Sequence, residues 1–234
     1  MSRTTAQSRE LALGGVSKSL AATVLMRMRA DILELRLAPG SKMPFDSLRE
    51  KYEVGLSPLR ESLCRLVEEG LVIGEEQRGF WVAPMSEEDF VDLTTLRREI
   101  EVLAVTRSVE RGGDSWEADL VRAFHLMSLA TASVSNNFPT EWARRHQAFH
   151  EALVAACGSP RLLHLRRQLF DHFTRYQRIA PRHVWRNGIR DTEHKNILDA
   201  AIARNVKKCK SLIQAHIRVL DVIVDAVNDM NEKH

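Results

Sequence analysis

The sequence predicts a mainly α chain that carries one small β-hairpin, and three observations predict it. Between Val54 and Val82 a helical pattern containing Arg60 stops at Gly70. It runs into two short apolar segments, Leu71 to Ile73 and Phe80 to Val82, with Arg78-Gly79 between them. After Met85, apolar residues recur every three or four positions in successive segments, and no stretch alternates with the period of a strand. Those segments are separated by Gly112-Gly113, Asn136-Asn137, Gly158-Ser159-Pro160 and Ala180-Pro181. The first observation is the pattern of a winged helix-turn-helix, and the other two describe an all-helical bundle of about six or seven helices.

Length and composition agree with that division. A chain of 234 residues with 44% hydrophobic content can build a core in each of two modest domains. Residues 1–17 are polar and read as a flexible tail, 18–84 as the winged domain and 85–234 as the helical domain. The amino terminus lacks the apolar run of a secretory signal, and no later stretch offers the roughly 20 apolar residues of a membrane helix, so a cytoplasmic protein is expected, with no membrane partner. Cys64, Cys157 and Cys209 are odd in number and lack metal-type spacing, so no disulfide is expected.

Charge restricts how such a chain meets DNA. The first 85 residues hold 12 Lys and Arg against 11 Asp and Glu, and the remainder 22 against 20, so neither half is a polycation. Binding must rest on a few placed cations on one face, duplicated by dimerisation.

Leu20, Val24, Leu25, Met28, Ile32 and Leu35 predict a first helix over 19–37, ended by Ala38-Pro39-Gly40. A short second helix begins near Asp46, whose side chain can cap it, and reaches Tyr52. The third starts at Gly55 or Ser57, with Ser57 a candidate cap and Pro58 in the first turn. Leu59, Leu63, Leu66 and Val67 form its apolar stripe, and Arg60 and Arg65 fall off that stripe. An arginine there can grip guanine in the major groove or hold a phosphate; the pattern leaves both open. Arg78-Gly79 forms a basic wing tip that would touch the backbone or minor groove. The plainer reading is a helix-hairpin domain that binds protein.

These residues also resemble a known family. Pro39-Gly40, Leu48, Ser57-Pro58-Leu59-Arg60-Glu61-Ser62-Leu63, Leu66, Glu69-Gly70-Leu71-Val72, Gly79 and Val82 look like the DNA-binding domain of GntR-family bacterial transcription regulators. Most members open the reading helix with a Ser-Arg pair, where this chain has Gly55-Leu56. The resemblance implies DNA contacts from Ser57, Arg60, Arg65, Arg78 and Gly79, without the arginine that many relatives use.

In the second domain Ser86 is placed to cap a helix that begins with Glu87-Glu88. Helical segments follow near 87–111, 115–135, 138–157, 160–179, 187–204 and 206–231. His146 and His150, four apart, share a helix face and can share a metal ion, although nine histidines in 234 positions make such a pair common by chance.

The Leu96-Arg97 and Ile100-Glu101 positions, the runs His146 to Leu153 and Glu193 to Leu198, and His216 look like the ligand-binding domain of the FadR-type subfamily. That resemblance implies a metal held by His146, His150, His194 and His216, with His146 where relatives carry aspartate. Four neutral imidazoles favour zinc, or nickel, over magnesium or calcium, and leave the ion's charge to attract an anion. A small carboxylate completing the ion's coordination is therefore expected, with Arg97, Arg175 and Tyr176 as candidate effector contacts. Arg97 can also be read as part of a solvated charge run, and Arg175 and Tyr176 as packing residues. His125, His164, His172, His183 and His234 show no constellation.

The expected function is a dimeric transcriptional regulator, of the repressor type common in this family. It would bind a palindromic operator as a homodimer and answer to an organic acid. A metal-responsive regulator is the alternative. A metal-dependent hydrolase is a further one, but Glu151 and Glu193, each next to a proposed ligand in sequence, point off the shared helix face and leave no general base, so the protein is not expected to be an enzyme.

Overall fold

The computed structural model describes residues 20–131, 140–179, 189–218 and 220–232. The expected tail over 1–17, the breaks at Asn136-Asn137 and Ala180-Pro181, and His183 and His234 lie outside the described residues. The chain is mainly α, and it divides into two compact units, Met1–Met85 and Ser86–His234. No described helix is long and apolar enough to cross a membrane.

The first unit holds α1 (20–33), α2 (Phe45–Tyr52), α3 (Leu56–Glu68) and the hairpin β1 (Val72–Glu75) and β2 (Gly79–Val82). Its core joins Val24, Met28 and Ile32 of α1 to Leu48 and Tyr52 of α2 and to Leu59, Leu63 and Leu66 of α3. Each fully buried leucine contributes about 2 kcal/mol. The hairpin pairs Val72 with Val82 and Glu75 with Gly79. Residues 40–43 run along β2, with Met43 N donating to Phe80 O and Val82 N to Ser41 O, so the wing has an added backbone partner that the apolar pattern did not show.

Several boundaries differ from expectation for local reasons. Helix α1 ends at residue 33, before Pro39, because Leu35 takes a left-handed conformation and the amides of Arg36 and Leu37 turn back to Asp31 O. Asp46 does not cap α2: Pro44 occupies that position, and Asp46 lies in the first turn. Ser57 does not cap α3 either, since Gly55 is the capping residue and Ser57 is the second residue of the helix, exposed. On α3, Ser62 takes the buried place expected for Val67. Its hydroxyl lies 2.8 Å from Pro58 O and 3.0 Å from Ala21 O, so its polarity is satisfied, and Val67 is exposed.

The second unit contains seven α-helices among the described residues: α4 (Glu87–Arg111), α5 (Asp114–Thr131), α6 (Thr140–Val154), α7 (Pro160–Ile179), α8 (Ile189–Ile202), α9 (Val206–His216) and α10 (Asp221–Asn231). Ser86 Oγ accepts from Asp89 N and caps α4, ahead of three acidic first-turn residues that suit the positive end of the helix. Gly112 ends α4; a Cβ there would stand 2.3 Å from the Trp116 ring. The segment expected as one helix over 206–231 is two. The apolar spacing runs through the break because Ile217 buries its side chain from an extended backbone, so periodicity alone does not register the interruption. The core is drawn from α4, α5, α6, α8 and α9, with Ala104, Val105, Leu120, Phe149, Leu153, Ile197 and Ile213 fully or almost fully buried.

Candidate metal centre and reading head

Helix α6 presents His146, Phe149, His150 and Leu153 inward at three- and four-residue spacing. Helix α8 adds His194, and α9 adds His216 as its last residue. The four histidines offer one ligand atom each, all within 4.8 Å of one another, and the first three are buried. His150 Nε2 lies 3.1 Å from His146 Nε2 and 3.3 Å from His216 Nε2. Trp142, one turn before His146, stacks on its ring at 4.7 Å between centroids.

The chemistry of this donor set fits a divalent ion. His216 Nδ1 lies 3.0 Å from Glu193 Oε2. An ionised carboxylate can only accept, so the proton sits on Nδ1 and a lone pair on Nε2 faces His150. A single proton on His150 Nε2 serves only one of its two close nitrogen neighbours well, whereas a cation among them satisfies every lone pair. Burial, then the neighbouring His146, His216 and His194, and then the charge of Arg97, hold His150 well below its usual pKa, in the neutral form that ligates.

Glu193 adjoins His194 in sequence yet reaches across to His216, on the outside of the cluster. Four neutral imidazoles are therefore not the whole electrostatic account, because this carboxylate offsets part of an ion's charge. Sequence reasoning considered Glu193 only as a base and missed it as the group that orients His216.

Arg97 is not part of a solvated charge run. It is 3% exposed, its guanidinium lies 4.3 Å from the Phe173 ring centroid and 5.0 Å from that of Phe170, and burial pulls its pKa down to about 10. Its nearest carboxylate oxygen, Glu101 Oε1, is 3.6 Å away, and both that oxygen and Arg97 Nε are buried without a hydrogen bond. Glu101 instead accepts from Arg166 Nε at 2.8 Å, and Arg166 Nη2 donates to His150 O at 3.1 Å, joining α4, α7 and α6. Arg166 was also missed; its signal was a charged residue in the stripe formed by Leu162, Phe170 and Phe173.

Arg175 and Tyr176 are placed elsewhere. The Tyr176 hydroxyl bonds to Asp89 and to the backbone of Ser86, and the Arg175 charge, opposed by burial, is favoured by Tyr176 and Asp89. Both are buried α7 residues that meet the start of α4. His125 and His164 are exposed and His172 half-buried, apart from the cluster.

In the first unit the exposed face of α3 carries Leu56, Ser57, Arg60, Cys64 and Arg65. Arg65 pairs with Glu61 at 2.8 Å and Arg78 with Glu75 at 2.7 Å. With Glu75 and Glu76 beside Arg78, the wing tip is not the basic tip expected. Gln77 and Gly79 take positive φ there, the latter at 115°. Arg60 has no ion pair among the described residues; its guanidinium lies 5.7 Å from the Phe45 ring centroid, leaving its donors available.

Residues 20–82 match the family described as bacterial regulatory proteins, gntR family, and residues 92–219 match the FCD domain. The chain is 37% identical over 195 residues to the HTH-type transcriptional repressor GlaR of Escherichia coli, covering 81% of this chain and 89% of that protein. It is 36% identical over 203 residues to the HTH-type transcriptional regulator BphR of Paraburkholderia xenovorans, covering 86% and 83%. Among solved structures it resembles E. coli McbR/YncC, with a TM-score of 0.67 at 17% identity over 92% of this chain and 98% of that one, a likeness of fold.

Proposed function

We propose, for a chain that belongs to the GntR family of bacterial regulatory proteins and carries an FCD domain, a repressor whose hold on DNA is set by a small carboxylate bound beside a metal ion. Its function is transcriptional regulation and not catalysis. The observation that carries the proposal is the four-histidine cluster, three of its members buried, with the incompletely paired cation Arg97 acting on one of them.

His146, His150, His194 and His216 would hold the ion, and an all-nitrogen set suits zinc, or nickel, better than magnesium or calcium. The ion supplies an anchor for one end of an anionic effector. Arg97, fixed against Phe170 and Phe173, offers its Nε and charge to the other end, where a carboxylate would gain a charge-assisted hydrogen bond. Residues 18–84 form the reading head and 85–234 the sensor. Ser57, Arg60 and Arg65 of α3 face the operator, with Arg78 and Gly79 at the wing. The near-neutral charge of the head supports a homodimer on a palindromic site, because two copies double a small set of phosphate contacts.

The test is a titration of small mono- and dicarboxylic acids against metal-loaded and chelated protein, read by calorimetry, with operator affinity followed by fluorescence anisotropy. An acid should bind the loaded form at least tenfold more tightly and lower operator affinity. Equal affinity for both forms removes the metal from effector binding. A change in operator affinity on chelation alone makes the ion itself the signal.

A further inference from the structure

Helix α6 has two working faces. His146, Phe149, His150 and Leu153 point inward, while Arg144, Ala148 and Glu151 lie on the opposite side of the same helix, continued by Ala155 in the 3-10 turn that follows it. That outer side is the floor of a groove of about 540 Å³ between α5 and α7, and none of the four clustered histidines lines it. Its size is that of a small-molecule site. Ala148, Ala152 and Ala155 make the floor, with Leu126 and Leu163 as apolar walls. Small side chains at these positions leave room for a flat body.

The charges around the groove are unequal. Arg122, Arg144, Arg145, Arg166 and Arg167 border it, against Asp119 and Glu151. Arg122 is paired with Asp119, and Arg144 and Arg145 share Glu141. Glu151 accepts from the neutral amide of Gln147, which leaves its negative charge on the α6 side of the groove. Arg167 has no ion pair among the described residues, and beside it stands Arg166, 3% exposed, whose single carboxylate partner Glu101 also lies close to Arg97. Arg166 and Arg167 therefore concentrate positive charge at the α7 side, facing a floor of alanines interrupted by Glu151.

We infer that the outer face of α6 is a second ligand site, which takes an amphipathic organic anion with its apolar body on the alanine floor and its acidic group toward Arg166 and Arg167. The site is separate from the histidine cluster and does not rest on the metal-bound effector. It nonetheless adjoins that cluster, because Arg166 donates to the carbonyl of His150. An anion drawn to this guanidinium acts on the helical turn that carries His150.

8-Anilinonaphthalene-1-sulfonate, a flat aromatic anion, is the probe, titrated into the full-length protein and read by fluorescence. The expected result is saturable binding at one site per chain, weakened about tenfold or more by Ala148→Phe and several-fold by Arg167→Glu, and retained after chelation of metal. Both positions are exposed on helices, and an unchanged melting temperature and metal content verify that the variants fold. Absence of saturable binding, binding unaltered in both folded variants, or binding lost on chelation overturns the site.

Discussion

His216 donates its Nδ1–H to Glu193 Oε2 at 3.0 Å while its Nε2 lies 3.3 Å from Nε2 of His150. One ring is thus held at both ends, by a carboxylate outside the cluster and by the cluster itself. Glu193→Gln keeps the size of the side chain and removes its charge, which weakens the orientation and basicity of the imidazole. Metal affinity, measured by competition with a chromophoric chelator, should fall about 10- to 100-fold with the fold intact. An unchanged affinity would show that Glu193 has no part in metal binding.

Arg60 is the α3 arginine that no carboxylate neutralises among the described residues, so Arg60→Ala should reduce specific operator affinity by roughly tenfold or more and leave binding to unrelated DNA much less affected. Arg65→Ala, which removes a cation already shared with Glu61, should cost less. Anisotropy titrations on specific and scrambled duplexes give the comparison, and equal losses on both would reassign Arg60 to the phosphate backbone.

Leu56, 54% exposed in the first turn of α3, stands where an arginine is common in the family. Leu56→Arg should change which sequences are selected from a random duplex pool while Tm stays within about 3 °C, since the position is outside the core. An unaltered selection profile would place Leu56 away from the bases.

Arg97→Met retains the contact with Phe170 and Phe173 and deletes the charge. The variant should keep its metal and lose the response of operator binding to acids, with effector affinity down by about 2 kcal/mol or more. Elemental analysis and the operator assay check the two halves separately. A full response in the variant would remove Arg97 from the effector site.

Asp31 predicts an acid limit for the winged unit. Burial alone would raise its pKa, but hydrogen bonds from Lys51, Tyr52 and Arg36 outweigh burial and bring it from 3.8 to about 2. The carboxylate thus adds stability that is fully present above pH 3.8 and is lost as pH falls toward 2. Asp31→Asn should cost on the order of 2 kcal/mol at neutral pH and flatten the acid side of the stability curve, seen by urea denaturation between pH 2 and 6.

Element type was legible almost throughout, because the stripes Val24, Met28, Ile32 and Leu59, Leu63, Leu66 are buried faces and periodicity reports burial. Ends were less legible. Gly55 and Pro44 take the places expected of Ser57 and Asp46, since a cap depends on the backbone entering the helix and not on the nearest polar side chain. The break after His216 was hidden because Ile217 is buried from a non-helical backbone. The histidines that converge could be named through the family resemblance, but their partners could not. Glu193 and His216 are 23 positions apart, as separation along the chain says nothing of how α8 and α9 are aligned. Arg97 and Arg98 look alike in sequence, and only packing against Phe170 and Phe173 distinguishes the buried one.

The histidine cluster draws on positions 146 and 216 of one chain, with His150 and His194 between them. An ion held by all four would act as a removable cross-link that closes a loop of about 70 residues, comparable in chain-entropy terms to a disulfide of that span, about 4 kcal/mol. The last tie of that loop is the final residue of α9, so demetallation would free the point from which the chain leads into α10. Loading the sensor with its ion would then also fix the topology of its carboxy-terminal third.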